Sequence, residues 1–243
     1  MKTLAFIVVS LLSGAIAGTL LGLVNQIIVE PFIDRAIGIE TQKNIASSRV
    51  DLNEQSHYRM WQKIGEIVAG TIFGTSLGAL VGIVFAYTRN RLPGSSNQKK
   101  AVIITGVMFF VLFLIPALKY PPNPPAVGNP STIYYREILY IGILAISGLS
   151  SLVLAMSYRR ISGFRSKNII MPLLYAIIVS AAYLMLPSNP DKITIPNDLM
   201  TSFRVASVTT MAMFWLLLGV IFGSLYDMIK PHETSKLVSH LSD

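Results

Sequence analysis

The sequence predicts an all-α protein, a polytopic integral membrane helix bundle of about six transmembrane helices laid out as three in-out-in hairpins. Three observations predict it. Six apolar runs, at 4–29, 64–87, 101–118, 138–156, 169–186 and 205–225, each hold roughly 18 to 26 mostly uncharged residues, and about 20 helical residues cross the hydrocarbon core of a bilayer. Composition agrees, because 52% hydrophobic and only 13% charged residues leave too little polar side chain to clothe a water-soluble chain of 243 residues. Third, the phrase Pro121-Pro122-Asn123-Pro124 returns as Pro187-Ser188-Asn189-Pro190, each time directly after an apolar run. Proline lacks a backbone N–H and fixes φ, so each phrase stops a helix in an extended conformation and leaves an asparagine at the stop.

The first run is too long for the apolar stretch of a secretory signal and has no small-x-small exit, so it is read as a span. It carries Gly14, Gly18 and Gly22 at spacing four, and the row continues into Asn25, Gln26 and Glu30 before Pro31 stops the helix. Residues 30–63 are read as an outer loop. Its first part sets Phe32, Ile33, Ala36, Ile37 and Ile39 against Asp34, Arg35 and Glu40, which suits a short amphipathic helix lying on the membrane surface. Its second part is polar and contains Glu54-x-x-His57. If that part is helical, carboxylate and imidazole share a face, a spacing that metal sites use when other helices supply further ligands.

The second run answers the first with Gly70, Gly74, Gly78 and Gly82, preceded four residues earlier by Glu66. Small residues at this spacing let helix backbones approach closely in lipid. Ionisable groups inside a membrane are costly and face a partner or a wet cavity. Both rows are therefore expected to point their polar ends at an outer mouth, with Glu30, Glu54, His57 and Glu66 as candidate metal ligands. The third and fifth runs end on the two proline phrases, so Asn123 and Asn189 join Asn25 and Gln26 as pathway or helix-stop residues. Arg136 and Arg204 open the fourth and sixth runs, where pairing with Glu66, Glu137 or Glu30 is expected. Gly219 and Gly223 repeat the packing theme in the sixth run. The domain reading is one transmembrane helical domain over 1–226 and a short cytoplasmic tail over 227–243.

Charge then orients the spans. With the N-terminus inside, the inner segments hold eleven Lys and Arg against three Asp and Glu while the outer segments balance, so the whole formal net charge of +8 falls on one side. Both termini are predicted cytoplasmic. A basic inner face is drawn to anionic lipid and calls for no nucleic acid. The chain has no cysteine, which removes disulfides, thiolate metal sites and cysteine nucleophiles together. It has no Gly-rich phosphate loop, nucleophile elbow or HExxH motif, and its histidines are His57, His232 and His240. No enzyme and no bound cofactor are read from it.

Four ordered phrases carry a family resemblance. They are Ile28-Val29-Glu30-Pro31-Phe32-Ile33; Pro116-Ala117-Leu118-Lys119-Tyr120-Pro121-Pro122-Asn123-Pro124-Pro125-Ala126-Val127-Gly128; Leu186-Pro187-Ser188-Asn189-Pro190-Asp191; and Ile195-Pro196-Asn197-Asp198-Leu199 with Phe203-Arg204-Val205-Ala206-Ser207 after it. Over most of its length, from the first span to Tyr226, the chain resembles the CbtA-type family of predicted cobalt transporter subunits. The resemblance implies a prokaryotic inner-membrane protein of cobalt uptake, associated with cobalamin supply, with Co²⁺ as the transported ion and a small histidine-bearing single-span partner. The chain departs from the pattern in keeping only His57 in its outer loop, and in six spans where the family is commonly described with fewer. The expected function is a membrane subunit for uptake of a divalent transition-metal ion; the alternative is a non-transporting accessory or scaffold subunit of a membrane complex, as homo- or hetero-oligomer. The expected route collects a cation near Glu54 and His57, passes a polar ring of Glu30, Glu66, Asn123 and Asn189, and runs along the glycine-lined contact of the first two spans. Nitrogen and oxygen donors suit Co²⁺ or Ni²⁺, and without a Walker motif an ATP-driven step would need another subunit.

Overall fold

The computed structural model describes residues 2–45, 52–92, 96–125, 127–160 and 166–229; the tail from residue 230, with His232 and His240, lies outside them. The described residues contain no strand. Their helices are α1 (Lys2–Ile28), α2 (Glu30–Ile45), α3 (Leu52–Thr88), α4 (Asn97–Phe109), α5 (Ile115–Lys119), α6 (Ile133–Arg160), α7 (Lys167–Met185) and α8 (Asn197–Ile229), with a π-turn, Phe110–Leu114, joining α4 to α5. Six stretches among them are long and apolar enough to cross a membrane: Thr3–Ile28, His57–Arg91, Asn97–Lys119, Pro130–Tyr158, Lys167–Met185 and Asn197–Ile229. The all-α, six-span expectation is what the structure has.

α3 and α8 begin furthest ahead of their apolar runs. α3 takes in residues 52–63, because Glu54, Gln55, Arg59, Met60, Gln62 and Lys63 are straight-chain helix formers with no proline or glycine among them. α8 starts at Asn197, directly after Pro196, with Asp198 in the first turn where a carboxylate faces the positive end of the helix dipole. α1 stops at Ile28, and α2 resumes at once with Pro31 in its first turn, where a missing N–H costs no helical bond.

The chain groups into two compact units, Met1–Val107 with Val205–Asp243, and Met108–Arg204. In the first, α1 and α3 run antiparallel at backbone contact. A Cβ added to Gly18 would meet the Gly70 carbonyl and lie 2.9 Å from Gly74 Cα, and one added to Gly14 would lie 2.9 Å from Gly78 Cα. This is the packing expected of facing glycine rows. Thr19 and Thr71 hydroxyls join across the seam at 2.8 Å. α8 approaches α4 the same way: a Cβ on Gly219 would lie 2.9 Å from Val102 Cα, flanked by Gln98 Nε2 donating to Ser224 Oγ at 2.9 Å and Asn97 Nδ2 donating to Asp227 Oδ1 at 2.6 Å. At the end of this unit where α1 starts, Phe6, Phe85, Phe222 and Tyr226 pack as an aromatic cluster, with Phe85 and Phe222 ring centroids 5.0 Å apart.

In the second unit α5 and α7 end just before the two proline phrases, which are neither helix nor strand, and the phrases are tied together. Tyr120 O–H donates to the Pro187 carbonyl at 2.6 Å and Lys119 Nζ to the Tyr183 carbonyl at 2.7 Å, over a core of Tyr120, Leu139, Ile143 and Ala182.

Candidate functional site

The glycine register of α1 against α3 decides which polar groups meet. Past Gly22, which lies against Ile67, the seam brings Asn25 and Gln26 of α1 beside Lys63 and Glu66 of α3. Gln26 Nε2 donates to Glu66 Oε2 at 2.6 Å and to the Lys63 carbonyl at 3.0 Å. Asn25 lies beside Glu66, near enough to act on its carboxylate, and its Oδ1 is buried without a partner. One helical turn further out, α2 adds Glu30, which is 4% exposed, and Asp34. Arg59 Nη2 bridges them, 2.6 Å from Glu30 Oε2 and 2.7 Å from Asp34 Oδ1, and Lys63 Nζ lies 2.9 Å from Asp34 Oδ2. Burial works to raise the Asp34 carboxyl, but hydrogen bonds from Arg59 and Lys63 and their charges overcome it and hold the group below its ordinary value.

The electrostatics divide the cluster. Glu30 and Asp34 are matched by Arg59 and Lys63, so their charges are satisfied in place. Glu66 is held by the neutral amide of Gln26, with the Asn25 amide beside it. Tyr58 and Trp61, eight and five residues before it on α3, are exposed in the manner of aromatic anchors at a membrane interface. Glu66 therefore lies about 7.5 Å along the helix beyond Trp61, within the span. A half-buried carboxylate with an unpaired amide oxygen beside it is an all-oxygen donor set, suited to a cation that keeps part of its hydration. Among the described residues, no group of three or more His, Cys, Asp or Glu is arranged to hold a metal ion.

The other residues singled out in the sequence have more local roles. His57 is exposed on α3, and the Glu54 side chain lies outside the described residues. Asn123 ties its proline phrase to the start of α8, its Oδ1 accepting from Arg204 Nη2 at 2.9 Å, and Asn189 serves its own phrase, its Oδ1 accepting the Asp191 N–H at 3.0 Å. Within their own unit Arg136 and Arg204 have partners other than Glu137. Arg136 Nε lies 2.9 Å from Asp191 Oδ2, close enough for an ion pair although not aligned as a hydrogen bond, and Thr132 Oγ1 donates to Asp191 Oδ1 at 2.8 Å. Arg204 also reaches the Pro122 carbonyl at 3.3 Å. Gly128, at φ +110°, makes room for the Arg136–Asp191 pair, since a Cβ there would lie 2.9 Å from Arg136 Nη1.

Sequence reasoning missed Arg59, Lys63 and Asp191 as site-forming residues. A signal for the first two existed: Arg59, Lys63 and Glu66 fall at i, i+4 and i+7, one helical face, once residues 52–63 are read as helix.

Six crossing helices and a polar cluster set where glycine-packed spans end define a multi-pass α-helical membrane protein. The chain belongs to the CbtA family: the family model described as "Probable cobalt transporter subunit (CbtA)" matches residues 3–227. The family is one of transporter subunits and not of enzymes. No curated protein and no solved structure matches the chain.

Proposed function

We propose that this protein is the membrane subunit through which a divalent transition-metal ion, cobalt by its family, enters the cell, and that Glu66 is the group the ion meets inside the membrane. The observation that carries this is the pairing pattern: Glu30 and Asp34 are each bridged to cations, whereas Glu66 has the Gln26 amide as its hydrogen-bond partner and a buried, unpartnered Asn25 oxygen beside it. A carboxylate kept inside a span without a matching cation is costly, and the cost is offset when a cation arrives. His57, with Glu54 one turn away along α3, collects ions outside and raises their local concentration. The subunit works in a complex, with a small histidine-bearing single-span protein as the partner its family suggests.

Binding at Glu66 stabilises the folded protein by linkage, about 2.7 kcal/mol when the ion is at a hundred times its dissociation constant. Co²⁺ is therefore expected to raise the melting temperature of the purified protein, and to leave that of Glu66→Gln unmoved while both melt alike without metal. Equal shifts in the two proteins would place binding elsewhere.

A second reading, an accessory subunit that moves no ion, draws on the aromatic cluster of Phe6, Phe85, Phe222 and Tyr226, which fills the opposite end of the unit that holds Glu66. Such a subunit would show no Co²⁺-dependent stabilisation at all.

The charge asymmetry further supports an inner-membrane protein with both termini in the cytoplasm. Reporter fusions after Arg91, Arg165 and Tyr226 should report cytoplasm, and those after Ser48, Asn129 and Asp191 the exterior. A cytoplasmic report after Asn129 would break the orientation.

A further inference from the structure

The π-turn in the third span has a cause that can be read atom by atom. Within Phe110–Leu114 the Ile115 N–H reaches back to the Phe110 carbonyl, one residue further than in an α-helix. The next residue, Pro116, has no N–H. In this register Pro116 leaves Val111 without a helical donor, and the return from π- to α-winding skips one further carbonyl. Ser147 Oγ, fully buried on α6, donates to the Val111 carbonyl at 2.6 Å. Had the turn been α-helical, Ile115 would have served Val111 and the orphan would have been Leu112. Pro116 thus leaves a carbonyl without a donor in either winding, and in the π-wound one a buried hydroxyl satisfies it.

Ser147 has one proton to give, and it goes to Val111. The Tyr175 hydroxyl of α7, 2.7 Å away, must then be the donor to Ser147 Oγ, which fixes the serine rotor toward the carbonyl. All three groups lie in the middle third of their spans, where water does not satisfy a stray carbonyl. A π-turn is one residue of extra winding, so its conversion to α-helix turns the C-terminal end of the span by about 100° relative to α4. That end is α5, and it carries Tyr120 and the first proline phrase.

We propose that Ser147, oriented by Tyr175, is a register lock for the third span: while its hydroxyl holds the Val111 carbonyl the span is π-wound, and its release lets α5 turn by one residue. Ser147 and Tyr175 are positioning residues, and the lock does not depend on ion uptake. The alternative, a cation site made by the same hydroxyls, is disfavoured because the Ser147 oxygen already accepts one bond while its proton is committed to another.

The absence of cysteine makes single-cysteine labelling clean. In the present register Leu118 is 62% exposed and Ala117 7%, so Leu118→Cys should react with a membrane-permeant maleimide much faster than Ala117→Cys. Adding Ser147→Ala is expected to lower that rate ratio at least threefold, Tyr175→Phe to lower it less, and Ser147→Thr to keep it. Pro116→Ala, which restores a donor in either register, should lower it with Ser147 intact. A wild-type ratio in whichever of Ser147→Ala and Tyr175→Phe is recovered folded overturns the lock.

Discussion

Replacing Gly74 with leucine is expected to leave little or no folded protein in the membrane. A Cβ at this position would meet the Gly14 carbonyl and lie 2.6 Å from Gly18 Cα and 2.8 Å from Gly18 N. These are backbone atoms of α1, which cannot move aside as the end of a flexible side chain can. α1 and α3 would have to part along the whole seam, giving up the Thr19–Thr71 hydroxyl contact and the Gln26–Glu66 bond with it. In lipid, close packing is what holds helices together, since apolar surface gains nothing by leaving the hydrocarbon. Overpacking in an ordinary core costs about 1–3 kcal/mol; a clash of two main chains exceeds that and consumes much of the roughly 5–15 kcal/mol by which a domain is stable. Gly106 supplies the control, for nothing lies within 4 Å of a Cβ there. Gly106→Leu should insert and melt like the wild type. The measurement is yield and melting temperature in detergent; matching values for Gly74→Leu and Gly106→Leu would mean that the seam is not a packing interface.

What the sequence revealed and what it hid divide along the range of the interactions. Span number, the glycine seam of Gly14, Gly18 and Gly22 with Gly70, Gly74 and Gly78, and the helix stops at the two proline phrases were legible, because each is a periodicity or a backbone constraint written into adjacent residues. The meeting of Asn25, Gln26 and Glu66 at the end of that seam was partly legible, since extending two glycine rows at constant spacing leads to them. The partners of the charged groups were not. Glu30 is separated from Arg59 by a whole helix, and Arg136 from Asp191 by two spans; nothing local encodes which acid a given arginine finds. The apolar runs also concealed the first turns of α3, because a run of polar helix formers resembles a loop when hydropathy is the guide. The π-turn was hidden for a subtler reason. Pro116 announces a broken bond, but where the break is repaired depends on Ser147, thirty-one residues later.

The second large effect concerns Glu66. Glutamine there keeps the volume and the acceptor oxygen that Gln26 holds at 2.6 Å, and removes the one property the proposal needs, a negative charge that offsets a cation's lost hydration. Because the cations of the cluster are engaged by Glu30 and Asp34, the substitution strands no arginine, and the protein should insert and melt normally. A purely structural Glu66 predicts the opposite order of effects, with melting falling first and uptake falling only in proportion to the protein lost. His57→Ala should be the milder lesion, since a collecting group in an exposed position speeds arrival without being the only way in.

The decisive measurement is accumulation of radiolabelled cobalt by cells expressing wild-type protein or Glu66→Gln, normalised to folded protein in the membrane. For Glu66→Gln a fall of at least tenfold with melting temperature unchanged is expected; equal accumulation by the two, at equal folded protein, would rule out Glu66 as the group the ion meets.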